Sequence, residues 1–330
     1  MYLFGILWIV SVLSLVAVIA VFDTSPCLNA NLSKNARFSK QLHQRAVVSR
    51  KIRVRIYPES WALIYQVVYP HAQIEYVSGG PADYFVFFST TSPPDQIFEE
   101  FPKRRIIGIA AEPVEFFPFN EKDRFNFEHR VDRFIIGRLT NRCHAPWVLH
   151  YHYMMYGSPK KVTTWDEKPF LMSIIVGNRI FFPGHRYRHD LAGEILKRNL
   201  PVDVWGRGAN EYSGDRVKGS FRGLEPYKDY KFTIAIENND SESYITEKYT
   251  NAIACGTVPL YFGANRISTY FGDQWGFRLN GKLEEDIVLI ENVLRNPEQY
   301  RIDLSRARHE LKHGKCNFAN FVLNKFEPLV

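Results

Sequence analysis

The chemistry of this chain concentrates after one apolar run. Phe232-Thr-Ile-Ala-Ile236 is followed by Glu237-Asn-Asn, by the polar loop Asp240-Ser-Glu-Ser, and by Tyr244-Ile-Thr-Glu-Lys248, which opens a helical pattern. Thr246 suits the N-cap of that helix and Gly256 suits its end, while Ile245, Tyr249, Ala252 and Ile253 fall on one face. Lys248 then stands in the first turn, where the helix dipole disfavours a cation and favours an anion. Free backbone N–H groups beside one lysine would cradle a diphosphate. A solvated lysine paired with a nearby carboxylate is an equal reading of the same residue. Glu237, at the end of the run, either accepts hydrogen bonds from sugar hydroxyls or caps the turn.

A second apolar run, residues 106–111, ends at Glu112, with Glu115 three residues further on. A carboxylate at a strand end can take a proton from a hydroxyl. The alternative is that Glu112 before Pro113 does no more than end the strand. Other residues carry weaker signals. His144, His150 and His152 lie close together but match no metal-ligand spacing. Gly206-x-Gly208 lacks the third glycine of a dinucleotide fingerprint. Phe116 to Phe119, with Phe125 and Phe127, would line a sugar groove or fill a core.

These residues need a scaffold, and the apolar pattern supplies one. Strands are expected at 52–57, 84–88, 106–111 and 134–137, and again at 171–176, 202–205, 232–236 and 258–262. Their apolar residues are consecutive, which suits parallel strands buried on both faces. Helical stretches at 188–198 and 246–255 give the second half a βαβ rhythm. The fold class read here is α/β, two Rossmann-like domains facing across a cleft, with ligands at the carboxyl ends of the strands. The boundary falls in the Pro- and Lys-containing link at 158–169, giving domains at 51–165 and 166–330.

The 330 residues are 45% hydrophobic and 15% aromatic, which excludes a disordered tail, a collagen-like repeat and a disulfide mini-protein. Residues 2–22 contain no Asp, Glu, Lys or Arg and are long enough to span a bilayer. They predict a transmembrane anchor at 1–22, against the alternative of a cleaved signal, followed by a polar stem at 23–50. The net charge of +7 is concentrated: residues 24–58 carry eight Lys and Arg and no acid. By the positive-inside rule alone that side would be cytoplasmic. No nucleic-acid module is present, so no nucleic-acid partner is expected. Asn31 and Asn239 head N-x-S sequons, and Cys27, Cys143, Cys255 and Cys316 are widely spaced. Cys255 reads as a buried small hydrophobe.

The run Tyr230-Lys-Phe-Thr-Ile-Ala-Ile-Glu-Asn-Asn, then Tyr244-Ile-Thr-Glu-Lys-Tyr and Asn251-Ala-Ile-Ala-Cys-Gly-Thr-Val-Pro-Leu-Tyr-Phe-Gly263, resembles the donor-site signature of the α-1,3-fucosyltransferases, glycosyltransferase family 10. Val202-Asp-Val-Trp-Gly-Arg-Gly208 is similar to the strand and turn before that signature. The resemblance covers residues 171–300. It implies a GT-B fold whose C-terminal domain binds GDP-fucose and whose N-terminal domain presents a GlcNAc-containing glycan acceptor and the base. It further implies an inverting fucosyltransferase of protein glycosylation, a single-pass type II protein of the Golgi membrane with its body luminal.

Residue by residue, the resemblance places Glu237 toward the fucose and ribose hydroxyls and Lys248 toward the diphosphate. Asn238, Tyr244, Thr246 and Glu247 belong to the same donor site. A diphosphate-binding arginine maps to Arg188, with Arg186 next. The base maps to Glu112, with Glu115 close by. No cofactor is required: cations at the diphosphate do the work of a metal, no Asp-x-Asp motif occurs, and a divalent ion would at most stimulate. The animal enzymes end in a cysteine-rich segment, whereas this chain has only Cys316 there. Two other readings stand beside this one: a non-catalytic, membrane-anchored nucleotide-sugar or glycan binder, and a glycosyltransferase using a different nucleotide sugar.

Overall fold

Runs of aliphatic and aromatic residues such as Ile52-Arg-Val-Arg-Ile-Tyr57 and Val258-Pro-Leu-Tyr-Phe262 form strands because branched and ring side chains pack well on a pleated surface. The computed structural model describes residues 50–88, 93–116, 128–140 and 146–328. The expected anchor, the stem as far as residue 49, Cys27, Asn31, Cys143, His144 and the phenylalanines at 117–127 lie outside these residues. No helix among the described residues is long and apolar enough to cross a membrane.

The first half contains β1 (Ile52–Tyr57), β2 (Ile74–Val77), β3 (Tyr84–Phe88), β4 (Ile106–Ile109), β5 (Arg133–Ile136) and β6 (Trp147–Leu149). They form a parallel sheet in the order β2-β1-β3-β4-β5-β6. The second half contains β7 (Phe170–Ile175), β8 (Val202–Trp205), β9 (Val217–Gly219), β10 (Tyr230–Ile236), β11 (Val258–Phe262) and β12 (Phe277–Arg278). Their order is β12-β11-β10-β7-β8-β9, again parallel. Ile234 at the centre of β10 sits opposite Ile174 on one side and Leu260 on the other. The chain leaves β7 in one direction and returns to start β10 on its other flank. The crevice at the carboxyl ends of β7 and β10 is therefore the switch point of this sheet, where ligands bind in doubly wound folds.

Helices cover the sheets: α1 (Trp61–Val68), α2 (Asp95–Glu100), α3 (Pro183–Lys197), α4 (Glu225–Lys228), α5 (Glu247–Ala254), α6 (Ile267–Phe271), α7 (Leu283–Arg295), α8 (Ser305–Lys312) and α9 (Phe318–Leu323). Two of them position the site. Helix α3 starts with Pro at its N-terminus and buries Leu191, Ala192 and Ile195, spaced for one face. It begins five residues before the expected start at 188, since Pro183 and Gly184 are tolerated in a first turn. Helix α5 buries Tyr249, Ala252 and Ile253, of which the Ile253 side chain contributes about 1.5–3 kcal/mol. Thr246 is its N-cap, and Gly256 follows its end at φ 64°, both as expected.

The expected boundary at 165/166 falls in the connection from β6 to β7. Both sheets belong to one compact unit, Arg50–Val330. The last helix returns to the first sheet's side, where Phe318 meets the Tyr65 ring edge-on at 4.9 Å and Arg133 of β5 pairs with Glu327 at 2.8 Å. Three arginines of the basic N-terminal stretch are paired on the surface, Arg50 with Asp83, Arg53 with Glu75 and Arg55 with Glu100. Cys255 and Cys316 are buried free thiols, and burial pushes the Cys255 thiol up to about 12.

Candidate functional site

Strand β10 delivers Glu237 and Asn238 to the switch point. The Glu237 N–H continues the ladder to Phe262 O at 2.8 Å, so its side chain turns inward under α5. Its Oε1 accepts from the Thr246 N–H at 2.8 Å and its Oε2 from the Thr246 hydroxyl at 2.7 Å. The carboxyl has no exposed surface, and burial pushes its pKa up against the pull of the Lys248 ammonium. These are the contacts of a cap, and the neighbouring Glu247 lines the pocket below.

Lys248 is paired with carboxylates, as one of the two readings made from the sequence has it. Its Nζ donates to Thr246 Oγ1 at 3.0 Å and Glu247 Oε1 at 3.1 Å, and stands 3.5 Å from Glu237 Oε2. Burial works against its charge, but Glu247 and Glu237 outweigh it and hold its pKa above the ordinary lysine value. The ammonium nevertheless faces a cavity of about 420 Å³. On Glu247, burial raises the carboxyl, and Lys248 with the local hydrogen bonds more than reverses it.

Helix α3 brings the second cation. Arg188 is buried, lines the same cavity, and donates through one Nη to Ile236 O at 2.5 Å and Asn238 Oδ1 at 3.3 Å. Arg186, the other arginine considered, is exposed, bonds Ile180 O at 3.2 Å and does not line the cavity. The close approach of α3 requires Gly184, because a Cβ there would meet Glu237 O at 2.1 Å. Tyr156, Phe221 and Tyr227 add aromatic walls, and Gly177 and Ile234 to Ile236 mark the ends of β7 and β10. Gly206-x-Gly208 sits behind this wall. Gly206 has φ 106°, and a Cβ on it would meet Val176 O at 2.2 Å, so the turn buttresses β7 by close backbone contact.

Across the crevice, Glu112 follows the carboxyl end of β4. Its Oε2 accepts from Asn238 Nδ2 at 2.9 Å and from the Tyr244 hydroxyl at 3.3 Å, and Arg179 lies 4.0 Å from its Oε1. A quarter of the Glu112 side chain remains exposed, at 25%. Asn238 and Tyr244 thus sit against Glu112 and are not among the residues lining the cavity. Glu115 is drawn elsewhere, to Arg138 at 3.1 Å, which also donates to Asp240 O. Phe116 stacks on Phe182 at 3.6 Å between ring centroids, closing the wall between β4 and α3.

The sequence reading passed over Tyr156, Gly177, Arg179, Phe221 and Tyr227. Gly177 and Arg179 follow β7 directly, so the strand-end rule could have found them. Tyr227 lies in the four-residue α4, which leaves no periodic signal. His150 and His152 are buried beyond β6, and burial lowers their pKa values to about 4 and about 3. Among the described residues no cluster of three or more His, Cys, Asp or Glu side chains is arranged to hold a metal ion.

Two cations, a carboxylate and aromatic walls at a switch point, preceded by the signature run in β10 and α5, can be compared with known proteins. Residues 166–271 match the model of glycosyltransferase family 10 (fucosyltransferase), C-terminal part. That stretch contains Arg188, Glu237, Asn238, Tyr244, Glu247 and Lys248, and excludes Glu112. An α-(1,4)-fucosyltransferase of Arabidopsis thaliana is 51% identical over 41 residues, covering 12% of this chain and 10% of the relative. The α-(1,3)-fucosyltransferase B of Drosophila melanogaster is 26% identical over 132 residues, covering 38% and 30%. The matched segments thus span less than a third of each of these relatives. A solved α-glucosyltransferase in complex with UDP-glucose and DNA containing an abasic site superposes with a TM-score of 0.51 at 9% identity, covering 84% of this chain and all of that one. At that identity the likeness shows the fold alone, a GT-B-like pair of parallel α/β sheets.

Proposed function

We propose that the protein is an inverting fucosyltransferase that moves L-fucose from GDP-fucose to a GlcNAc hydroxyl of a glycan, in α-1,3 linkage. The observation that carries this reading is the convergence of Arg188 and Lys248 on one pocket at the switch point of the second sheet, with Glu112 tied to the same strand end through Asn238. The family match over residues 166–271 supports the donor.

In this reading the diphosphate lies against Lys248 and Arg188, the ribose hydroxyls donate to Glu247, and guanine packs on the aromatic wall of Tyr156, Phe221 and Tyr227. Glu112 takes the proton of the acceptor hydroxyl as its oxygen attacks the anomeric carbon of fucose. The bond from that carbon to the diphosphate breaks on the opposite face, so the configuration inverts. Charge gathers on the leaving phosphate oxygen, where two cations held in place by the fold stabilise it without reorganisation. These cations serve where a metal would otherwise, and a divalent ion is not required. The apolar run at 2–22 would anchor the protein in the Golgi membrane as type II, with the body on the luminal side.

Calorimetric titration with GDP-fucose, GDP-mannose and UDP-glucose tests the donor. The reading expects GDP-fucose to bind and Lys248→Ala to abolish binding. Preference for UDP-glucose would replace the donor. Binding of GDP-fucose with no product on any GlcNAc-containing acceptor would leave a nucleotide-sugar-binding protein.

A further inference from the structure

The donor pocket occupies the carboxyl ends of β7 and β10. A second cavity, of about 550 Å³, lies at the opposite edge of the same sheet, where Val258 begins β11 and residues 162–165 lead toward β7. Its charged lining is mainly cationic, with Arg301 and Arg308 beside the hydroxyl-bearing Thr163, Thr164 and Ser305. The carboxylate in the lining, Asp303, is already engaged, accepting from the Ser305 N–H at 2.9 Å and hydroxyl at 2.8 Å.

Two features of this cavity are unexplained by the protein itself. The Nε of Arg308 is shut off from solvent and has no hydrogen-bond partner. A buried donor left unpaired carries its full desolvation cost. In addition, Arg308 stands one turn from Lys312, which lies outside the lining, on the same face of α8, a like-charge spacing that destabilises a helix. Burial and then Arg308 depress the Lys312 pKa, and Arg308 also opposes the charge of the buried Lys168, whose pKa burial lowers to about 8. Arg301 is held over the Trp165 ring at 5.6 Å, with its carboxylate neighbours Asp166 and Glu298 no nearer than 3.8 and 3.9 Å. The cationic groups are thus assembled before any anion arrives.

We infer that this cavity binds a tetrahedral oxyanion, a phosphate or sulfate group, either free or as the ester of a small sugar. The guanidinium of Arg308 offers a planar fork for two oxygens, and Arg301 offers donors from another direction. The volume exceeds that of a bare ion and leaves room for a sugar ring. Because the cavity lies at the amino-terminal edge of the sheet, its ligand is not the donor, and the inference stands independently of the transferase reading.

The test is thermal unfolding and tryptophan fluorescence of the full chain, titrated with sodium phosphate, sodium sulfate and glucose 6-phosphate, each against sodium chloride at matched ionic strength. An oxyanion raises the melting temperature above the chloride control, and Arg308→Gln weakens its binding about tenfold or more, as loss of a charge-assisted contact does. Lys248→Ala leaves it unchanged. If Arg308→Gln fails to fold, Arg301→Gln, at an exposed position, gives the same reading. Equal binding of inorganic phosphate and glucose 6-phosphate identifies a free ion as the ligand, and tighter binding of the ester identifies a sugar phosphate. The inference is overturned if no probe binds beyond the chloride control, if both arginine variants bind as well as the parent chain, or if Lys248→Ala abolishes binding.

Discussion

The side-chain amide of Asn238 joins the two sides of the crevice: its Nδ2 donates to Glu112 Oε2 at 2.9 Å, and its Oδ1 accepts from Arg188 at 3.3 Å. One residue from the end of β10 thereby orients the carboxylate beyond β4 and touches the cation of the donor pocket. Asn238→Ala should lower kcat about 10- to 100-fold through misplacement of Glu112, with GDP-fucose affinity changed far less. Asn238→Asp should go further, because the amide donor to Glu112 is replaced by a carboxylate that repels it. Steady-state kinetics of both variants check this.

Glu237 acts on the site through α5. Glu237→Gln keeps the shape but turns an amide donor toward the Thr246 hydroxyl or the Lys248 ammonium. The variant should lose about 1–3 kcal/mol in urea unfolding, and its donor KM should rise as Lys248 loses a partner. A direct contact from Glu237 to the sugar would raise KM and leave the unfolding midpoint where it was.

The two arginines of α3 offer a contrast within one turn. Arg188→Ala should weaken GDP binding about 10- to 100-fold, the scale of a charge-assisted hydrogen bond or two in a sheltered site. Arg186→Ala, at an exposed position outside the pocket, should leave GDP binding within about twofold and stability within about 0.5 kcal/mol. Calorimetry on the two variants distinguishes them, and equal losses would place the diphosphate elsewhere.

Stability should fall with acidification before the carboxylates titrate. Burial lowers the pKa of His150 to about 4, His152 to about 3 and His185 to about 4, from an ordinary value of 6.5. Below pH 6.5 the unfolded chain takes up protons that the folded chain refuses, so the unfolded state binds more protons and stability rises with pH. The contribution is complete above 6.5 and is lost progressively as pH falls toward 4 and 3. Each histidine adds a slope of up to about 1.4 kcal/mol per pH unit in that window. Urea unfolding between pH 7.5 and 5 should show it, and His152→Phe should remove one proton's worth. An equal slope in His152→Phe would mean that His152 is protonated in the fold.

The scaffold was largely legible because parallel strands buried on both faces read as unbroken apolar runs. The expected runs at 52–57, 84–88, 202–205 and 258–262 are β1, β3, β8 and β11 to the residue. Edge strands escaped. β9 is Val-Lys-Gly and β12 only Phe-Arg, too short and too polar to stand out from a loop. In the site, Lys248 stood out because a first-turn cation is a local pattern, whereas Arg188 came only from the resemblance. The burial of Glu237 was not legible, since only the packing of α5 over β10 decides which of two adjacent carboxylates, Glu237 or Glu247, faces the pocket. Nor was the link from Asn238 to Glu112, which joins residues 126 positions apart.

The central claim is that Glu112 takes the acceptor proton while Lys248 and Arg188 hold the leaving diphosphate. It is tested by GDP release from GDP-fucose by the full chain, with and without GlcNAc-containing acceptors, in the presence of EDTA, comparing the parent with Glu112→Gln. The account expects acceptor-dependent release that persists in EDTA and falls about 100-fold or more in Glu112→Gln, the scale of a general base, while GDP-fucose still binds. Acceptor-dependent release undiminished in Glu112→Gln would contradict it.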